Sequence, residues 1–327
     1  MHYAAGTIQG GTPMLGTMLR IGVGWLLLWF SLSSFGAAPN VAFFYGPNPP
    51  WDELKAYDVV VVEPEHGFDP KSISTAGTQV FAYVSVGEVE YERPYAREIP
   101  QGMVGGQNAP WRAHVVDQTH PEWQRFFLDR IVAPLWDAGY RGFFLDTLDS
   151  FQLIAKTDEE RARQAQGLAD VIRALRKRYP EAKLIFNRGF EILPDLHREV
   201  YAVAVESIYR GWDQRNAQYV EVSEADRNWL MPHLTRAAKE YNLPVIAIEY
   251  VPPGQAALAR ETARRVAQLG FVPWVANPEL NQIGVGDFDT KVHRAIEFLE
   301  EGDRIKVTVR FRGRELTHPE IGRNMIA

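Results

Sequence analysis

The sequence predicts an α/β fold, a (β/α)8 TIM barrel followed by a short C-terminal helix–strand appendage. Two observations carry this expectation. Eight short, almost continuous runs of apolar, β-branched and aromatic residues recur between residues 41 and 278, as expected of strands covered on both faces. Helical patterns fall between them, which is the alternation of a barrel or of a doubly wound sheet. No Gly-rich phosphate loop follows the first run, and eight runs favour the barrel.

The runs in order are VAFFYG (41–46), YDVVVVEP (57–64), TQVFAYVSVGEVE (78–90), GFFLDTLDS (142–150), KLIFNRG (183–189), YAVAVESIY (201–209), PVIAIEYV (244–251) and GFVPWVANP (270–278). A helix is expected over 120–139, with a Pro near its start and Gly139 at its end. The next, over 157–180, opens on Thr157 with acids in its first turn and closes on Arg and Lys before a Pro, as the helix dipole favours. The helix at 223–242 opens on a Ser-x-x-Asp cap and contains Pro232, where a kink is expected. The last covers 254–270. The connection 91–119 is rich in Gly and Pro and follows the third strand on the face where barrels keep their sites. It is expected to form a lid or a substrate wall.

The chain has 327 residues and is 46 % hydrophobic, enough for one large core or two ordinary ones. A net charge of -6 leaves no nucleic-acid footprint on the molecule as a whole. The absence of cysteine excludes disulfides, thiol nucleophiles and Cys-ligated zinc. The first 38 residues read differently. From Met18 comes one Arg, an apolar run from Ile21 to Phe30, then the small residues Ser33, Ser34, Gly36, Ala37 and Ala38. That is the order of a secretory signal, with an uncleaved anchor as the alternative, and it implies a periplasmic or secreted protein. The stretch before Met18 reads as upstream sequence from an early start.

Carboxylates fall where barrel strands end, the place where barrels hold catalytic groups. Glu63 and Glu65 end the second strand, Glu88 the third, Asp146 and Asp149 the fourth. Asn187 and Arg188 end the fifth, Glu206 the sixth, Glu249 the seventh and Asn277 the eighth. An isolated buried carboxylate is costly, so an acid inside an apolar run needs a reason. A salt bridge to Arg188 or Arg210, or a helix cap, accounts for any one of them; convergence of six or more on one rim points to a site. Asp146 and Glu206 lie two strands apart and are the candidate catalytic pair for glycoside chemistry, in which two carboxyls share acid, base and nucleophile roles. Tyr45, Tyr83, Tyr209, Trp212, Tyr250 and Trp274 lie at or just past strand ends and offer rings on which sugars stack. The acids could instead hold Mg²⁺, but no D-x-D-x-D-G loop or His-x-His pair is present and His66 and His114 stand alone. No metal or cofactor is expected. G-x-S-x-G, a P-loop and GxGxxG are all absent. A non-catalytic polysaccharide-binding barrel is the alternative.

These motifs, VAFFYG, FAYVSVGE, GFFLDTLDS, Asn-Arg-Gly at 187–189, VESIYRGW and WVANPELNQIGVG, resemble the glycoside hydrolase domains of PelA-type exopolysaccharide hydrolase/deacetylases, relatives of the endo-α-1,4-polygalactosaminidase barrels. The resemblance covers residues 40 to 286. It implies an exported enzyme that cuts a cationic, partly deacetylated N-acetylgalactosamine-rich polymer of the biofilm matrix at internal α-1,4 bonds, with Asp146 and Glu206 matching the family's acidic pair. By analogy Asp146 is the nucleophile and Glu206 the acid/base, with retention of configuration favoured. Glu63, Glu65, Glu88, Asp149 and Glu249 would give the groove an acidic lining suited to free amines. An exo-acting, α-galactosidase-like enzyme would favour a closed pocket instead. A monomer is expected, and the resemblance allows exopolysaccharide export machinery as a partner.

PelA-type chains continue into further domains, including a deacetylase, whereas residues 287–327 here resemble part of the C-terminal domain of bacterial translation initiation factor 3. KVHRAIEFLEEGD reads as a helix, and RIKVTVRFRGR alternates Arg304, Lys306, Arg310 and Arg312 with Ile305, Val307, Val309 and Phe311 as a strand with one basic face. The matched stretch lacks the rest of that domain, so it reads as a join between unrelated coding segments. No nucleic-acid partner is expected. The expected organisation is therefore 1–38 signal or anchor, 39–286 barrel, 287–327 tail.

Overall fold

The computed structural model describes residues 39–67, 69–72 and 77–284. The expected export segment and the tail lie outside the described residues. Eight strands form one sheet: β1 (Val41–Phe44), β2 (Val59–Val62), β3 (Gln79–Ser85), β4 (Gly142–Asp146), β5 (Lys183–Asn187), β6 (Ala202–Glu206), β7 (Val245–Tyr250) and β8 (Val272–Ala276). Each pairs in parallel with the next in chain order. That order has no point of reversal, which excludes the doubly wound alternative. At the seam between β8 and β1 the Tyr45 N–H donates to the Leu280 carbonyl at 2.7 Å, and the Phe43 ring meets Trp274 at 6.4 Å. The runs are strands because both faces are covered: all four valines of β2 are fully buried.

The longer crossovers are helical. Asp158–Arg178 begins at a capping box in which the Thr157 side chain accepts from the Glu160 N–H and the Glu160 side chain accepts from the Thr157 N–H. Ser223 caps Glu224–Lys239, which runs through Pro232, and Ala256–Gln268 precedes β8. The helix expected at 120–139 is three consecutive pieces, Trp123–Phe126, a π-helical Phe127–Val132 and Ala133–Ala138, ending at Gly139 with φ of 117°. Pro134 brings no amide hydrogen to this segment, a local reason for the widened turn ahead of it. The β1–β2 crossover holds only Trp51–Leu54, and the β5–β6 crossover only Leu193–Leu196 and His197–Glu199.

Two additions rise from the C-terminal ends of the strands. The connection 91–119 is not an irregular loop. With Glu88–Glu90 it forms a three-stranded antiparallel sheet, in which Ala113–Val116 lies between Glu88–Glu90 and Val104–Asn108. After β6 comes a hairpin of Arg210–Asp213 and Gln218–Glu221.

Candidate active site

Asp146, Asn187 and Glu206 are the last residues of β4, β5 and β6, three adjacent strands. Asn187 therefore stands between the two acids. Its Nδ2 donates to Asp146 Oδ1 at 2.7 Å and to Glu206 Oε1 at 3.1 Å. The sum of these bonds, about 5.8 Å, is an upper bound on the separation of those two oxygens. The other oxygen of each acid accepts from a phenol: Tyr83 Oη to Asp146 Oδ2 at 2.7 Å, and Tyr250 Oη to Glu206 Oε2. Burial, and then the neighbouring acids, push both phenols well above their ordinary range, so each remains a donor. Burial also raises Glu206, and the charge of Asp146 raises it further, against the hydrogen bonds from Tyr250 and Asn187. One acid is thus biased towards the protonated form beside another that holds two donors.

The backbone beneath is held by Thr147, whose φ is 61°. Its hydroxyl accepts from the Val86 and Gly87 N–H groups at 3.1 and 2.8 Å and donates to the Asp146 carbonyl at 2.6 Å. Gly87 is required here, because a Cβ would lie 2.1 Å from the Thr147 carbonyl oxygen. Arg188, with φ of 60°, donates from Nη2 to the Glu206 carbonyl at 2.8 Å, and the Glu206–Ser207 peptide is cis. Gly189 follows with φ of 67°.

These groups lie in a cavity of about 600 Å³ that is open to solvent. Of the expected residues, Tyr45, Glu63, Tyr83, Glu88, Asp146, Asp149, Asn187, Arg188, Glu206, Trp212 and Tyr250 line it. Tyr45 packs edge-on against Tyr83, 5.3 Å between centroids. Glu88 does not end β3 but opens the small sheet; it accepts from Ser150 Oγ at 2.5 Å and Asn108 Nδ2 at 2.8 Å, and burial raises its pKa. Asp149 lies 3.6 Å from Arg188, and burial raises it despite that cation.

Five expected residues are turned to other uses. Glu249 precedes Tyr250, so on a strand the two point to opposite faces. Tyr250 turns inward to Glu206, and Glu249, fully buried, accepts from the N–H groups of Ile208, Tyr209 and Arg210 at 2.6 to 3.3 Å. Burial outweighs those donors and pushes it up to about 7. Tyr209 packs under Arg265, 3.9 Å from ring centroid to guanidinium carbon. Trp274 lies two residues short of the end of β8, buried against Phe43 and Tyr57. Asn277 donates to Glu279 and Asn281. Glu65 lies outside the cavity lining and pairs with Arg93 at 3.1 Å.

Sequence reasoning missed Arg93, Glu90, Asn108 and Trp111, all cavity-lining. Arg93 binds Glu63 through two bonds of 2.9 and 3.0 Å and Glu90 at 3.1 Å. Trp111 stands 57 % exposed at the cavity wall, the usual setting of a stacking platform. An Arg and a Trp inside a Gly- and Pro-rich connection were the available signal. The connection is thus a wall of the cavity. Among the described residues no cluster of His, Asp and Glu has the arrangement of a metal site.

Residues 34–290 match the family model of glycoside-hydrolase family GH114. The glycoside hydrolase domain of PelA from Pseudomonas aeruginosa is 41 % identical, with a TM-score of 0.68 over 76 % of this chain and 98 % of that one. A variant of that same domain, in which one glutamate is replaced by alanine, is 40 % identical with a TM-score of 0.70 over the same shares of the two chains. Ega3 of Aspergillus fumigatus, in complex with galactosamine, is 17 % identical with a TM-score of 0.54 and shares the fold. Residues 280–327 match the translation initiation factor IF-3 C-terminal domain. The factor of Leptospira biflexa is 58 % identical over 40 residues, so this chain spans about a fifth (21 %) of the length of that curated relative.

Proposed function

The chain belongs to glycoside-hydrolase family GH114, and we propose that it cuts internal α-1,4 bonds of an N-acetylgalactosamine/galactosamine-rich exopolysaccharide with retention of configuration. The observation that carries the reading is the pair Asp146 and Glu206, held by the one Asn187 nitrogen with their nearest oxygens within about 5.8 Å. Retaining glycosidases hold their carboxyls about 5–5.5 Å apart, whereas inverting enzymes need roughly 6.5–9.5 Å to admit a water.

In this mechanism an Asp146 oxygen attacks the anomeric carbon as the C–O bond to the leaving sugar breaks. Glu206 gives its proton to the departing oxygen. Glu206, now a carboxylate, takes a proton from water, whose oxygen attacks the same carbon and releases Asp146. The raised affinity of Glu206 for its proton suits the first step, and departure of that proton suits the second. Tyr83 and Asn187 orient the nucleophile; Tyr250 and Asn187 orient the acid.

A cationic substrate is supported by the lining. Glu63, Glu88, Glu90, Asp146, Asp149 and Glu206 face two guanidinium groups, Arg93 and Arg188. Acids outnumber cations even with Glu206 protonated, a field that draws free amines. An open cavity supports an internal cut. The expected signal from Met18 would carry the enzyme to such a polymer outside the cytoplasm, which cell fractionation checks. The tail is read as a coding-segment join with no ribosomal or nucleic-acid role.

The test is reducing-end release from a galactosamine-rich exopolysaccharide by the full chain and by Glu206→Gln, with product sizes and anomeric configuration followed by mass spectrometry and NMR. Oligosaccharides of mixed length with retained α configuration, and none from the variant, are expected. Polymer bound but uncut by both proteins would sink the enzyme and leave a polysaccharide-binding barrel. An initial β product would sink retention alone.

A further inference from the structure

A second aromatic surface lies just outside the cavity. Trp229, in the second turn of Glu224–Lys239, is 56 % exposed, unusual for the largest apolar side chain. It meets the Phe190 ring at 6.2 Å and His233 at 5.0 Å. His233 stacks on Phe190 with centroids 4.6 Å apart and planes 13° from parallel. None of these rings lines the catalytic cavity, and the mechanism uses none of them.

The surface is continuous with the site. Arg188, which lines the cavity, is two residues from Phe190, and Asp149 and Ser150 on that same wall lead directly to Gln152. The Gln152 amide donates to the carboxylate of Glu191, the neighbour of Phe190. A wall of the cavity thus passes through one hydrogen bond into a patch with an exposed indole and a carboxylate. Burial lowers the pKa of His233, which favours an uncharged ring there. A flat apolar ring beside an anion matches a hexosamine, whose C–H face stacks while its ammonium seeks the acid.

We propose that Trp229, Phe190 and His233, with Glu191 beside them, form a distal amino-sugar-binding platform that holds the polymer away from the bond being cut. This rests on the polysaccharide reading above, and it adds a site outside the catalytic cavity. The Trp229 indole takes the sugar face, and Glu191 takes the free amine.

Binding tests it without turnover. The full chain bearing Glu206→Gln is run through native gels containing deacetylated galactosamine polymer, alone and with Trp229→Ala, Trp229→Phe or Glu191→Gln. The loss of one stacking partner should weaken polymer binding about tenfold in Trp229→Ala, while Trp229→Phe stays close to the parent. Glu191→Gln should weaken binding of deacetylated polymer and leave that of fully N-acetylated polymer unchanged. In the active protein, Trp229→Ala should raise KM for polymer relative to KM for a short oligosaccharide. Unchanged polymer binding in Trp229→Ala overturns the platform and turns attention to a protein partner for this patch. So does a parent that binds no polymer. A parent that binds through Trp229, in a protein that releases no reducing ends, leaves the platform standing and removes the catalytic reading.

Discussion

Asn187 donates both hydrogens of one nitrogen, one to each acid, while each acid takes its second hydrogen bond from its own tyrosine. The tyrosines therefore offer a way to address the acids separately. A donor favours the charged form of a carboxylate, so its removal raises the proton affinity of the acid that loses it. Tyr250→Phe should shift the alkaline limb of the kcat/KM profile upward, because in the proposed mechanism Glu206 acts in its protonated form and would hold its proton longer. Tyr83→Phe, which takes one of two donors from Asp146, should leave the alkaline limb in place. Each should also lower the maximum by about tenfold, the scale of a hydrogen bond to a charged group. A pH–rate profile checks this, and a fall in Tyr250→Phe with its alkaline limb in place would mean that this phenol serves only as packing. The acids could be read from the chain because a carboxylate closing a run such as GFFLD contradicts its surroundings. Arg93 and Trp111 contradict nothing in a polar loop, so their signal in the sequence is faint and the folded wall makes it plain. Trp274 misled for the opposite reason: near a strand end, one step of depth separates a platform from the core.

The loop after β6 shows how an element can depend on one buried group. Glu249 holds three successive amides of 208–210, and those residues join Glu206 to the hairpin that carries Trp212. Its folded pKa of about 7 lies above the ordinary 4.5. A raised acid binds its proton more tightly in the folded state, so its contribution to stability is fully present below about pH 4.5 and is lost as pH rises through 7. That loss is about 3 kcal/mol for this fully buried group. Glu249→Gln should flatten stability between pH 5 and 8, read from urea midpoints; an unaltered slope would show that Glu249 does not titrate there. The barrel strands were readable because they are near-continuous apolar runs, and the four helical crossovers because caps, prolines and glycines mark their ends. The sheet built from 88–116 was not, because its strands carry no such run and Gly105, Gly106, Pro94 and Pro100 interrupt any period. Its pairing also joins residues as far apart in the chain as Glu88 and Val115.

On the scale of the whole molecule, a barrel closed in chain order brings acids from distant sequence positions to one rim. Glu63, Glu88, Asp146 and Glu206 lie at or shortly after the ends of four different barrel strands, yet they share one cavity. These four acids lie far apart in the chain, and the field they make together exists only in the assembled ring. Arg93 quenches part of it, binding Glu63, Glu65 and Glu90 together, so three carboxylates beside one guanidinium still leave an excess of negative charge. Such a field acts over roughly a Debye length, about 30 Å at 0.01 M salt and about 3 Å at 1 M. Raising salt across that range should therefore raise KM for a free-amine polymer severalfold, while kcat stays level because the buried pair is screened far less. A fully N-acetylated polymer has no amine to steer, and its KM should stay flat. Steady-state kinetics on the two polymers at matched length separates these cases. Equal salt dependence for both would mean that the acidic lining serves the fold and the catalytic pair, and that substrate charge is read elsewhere.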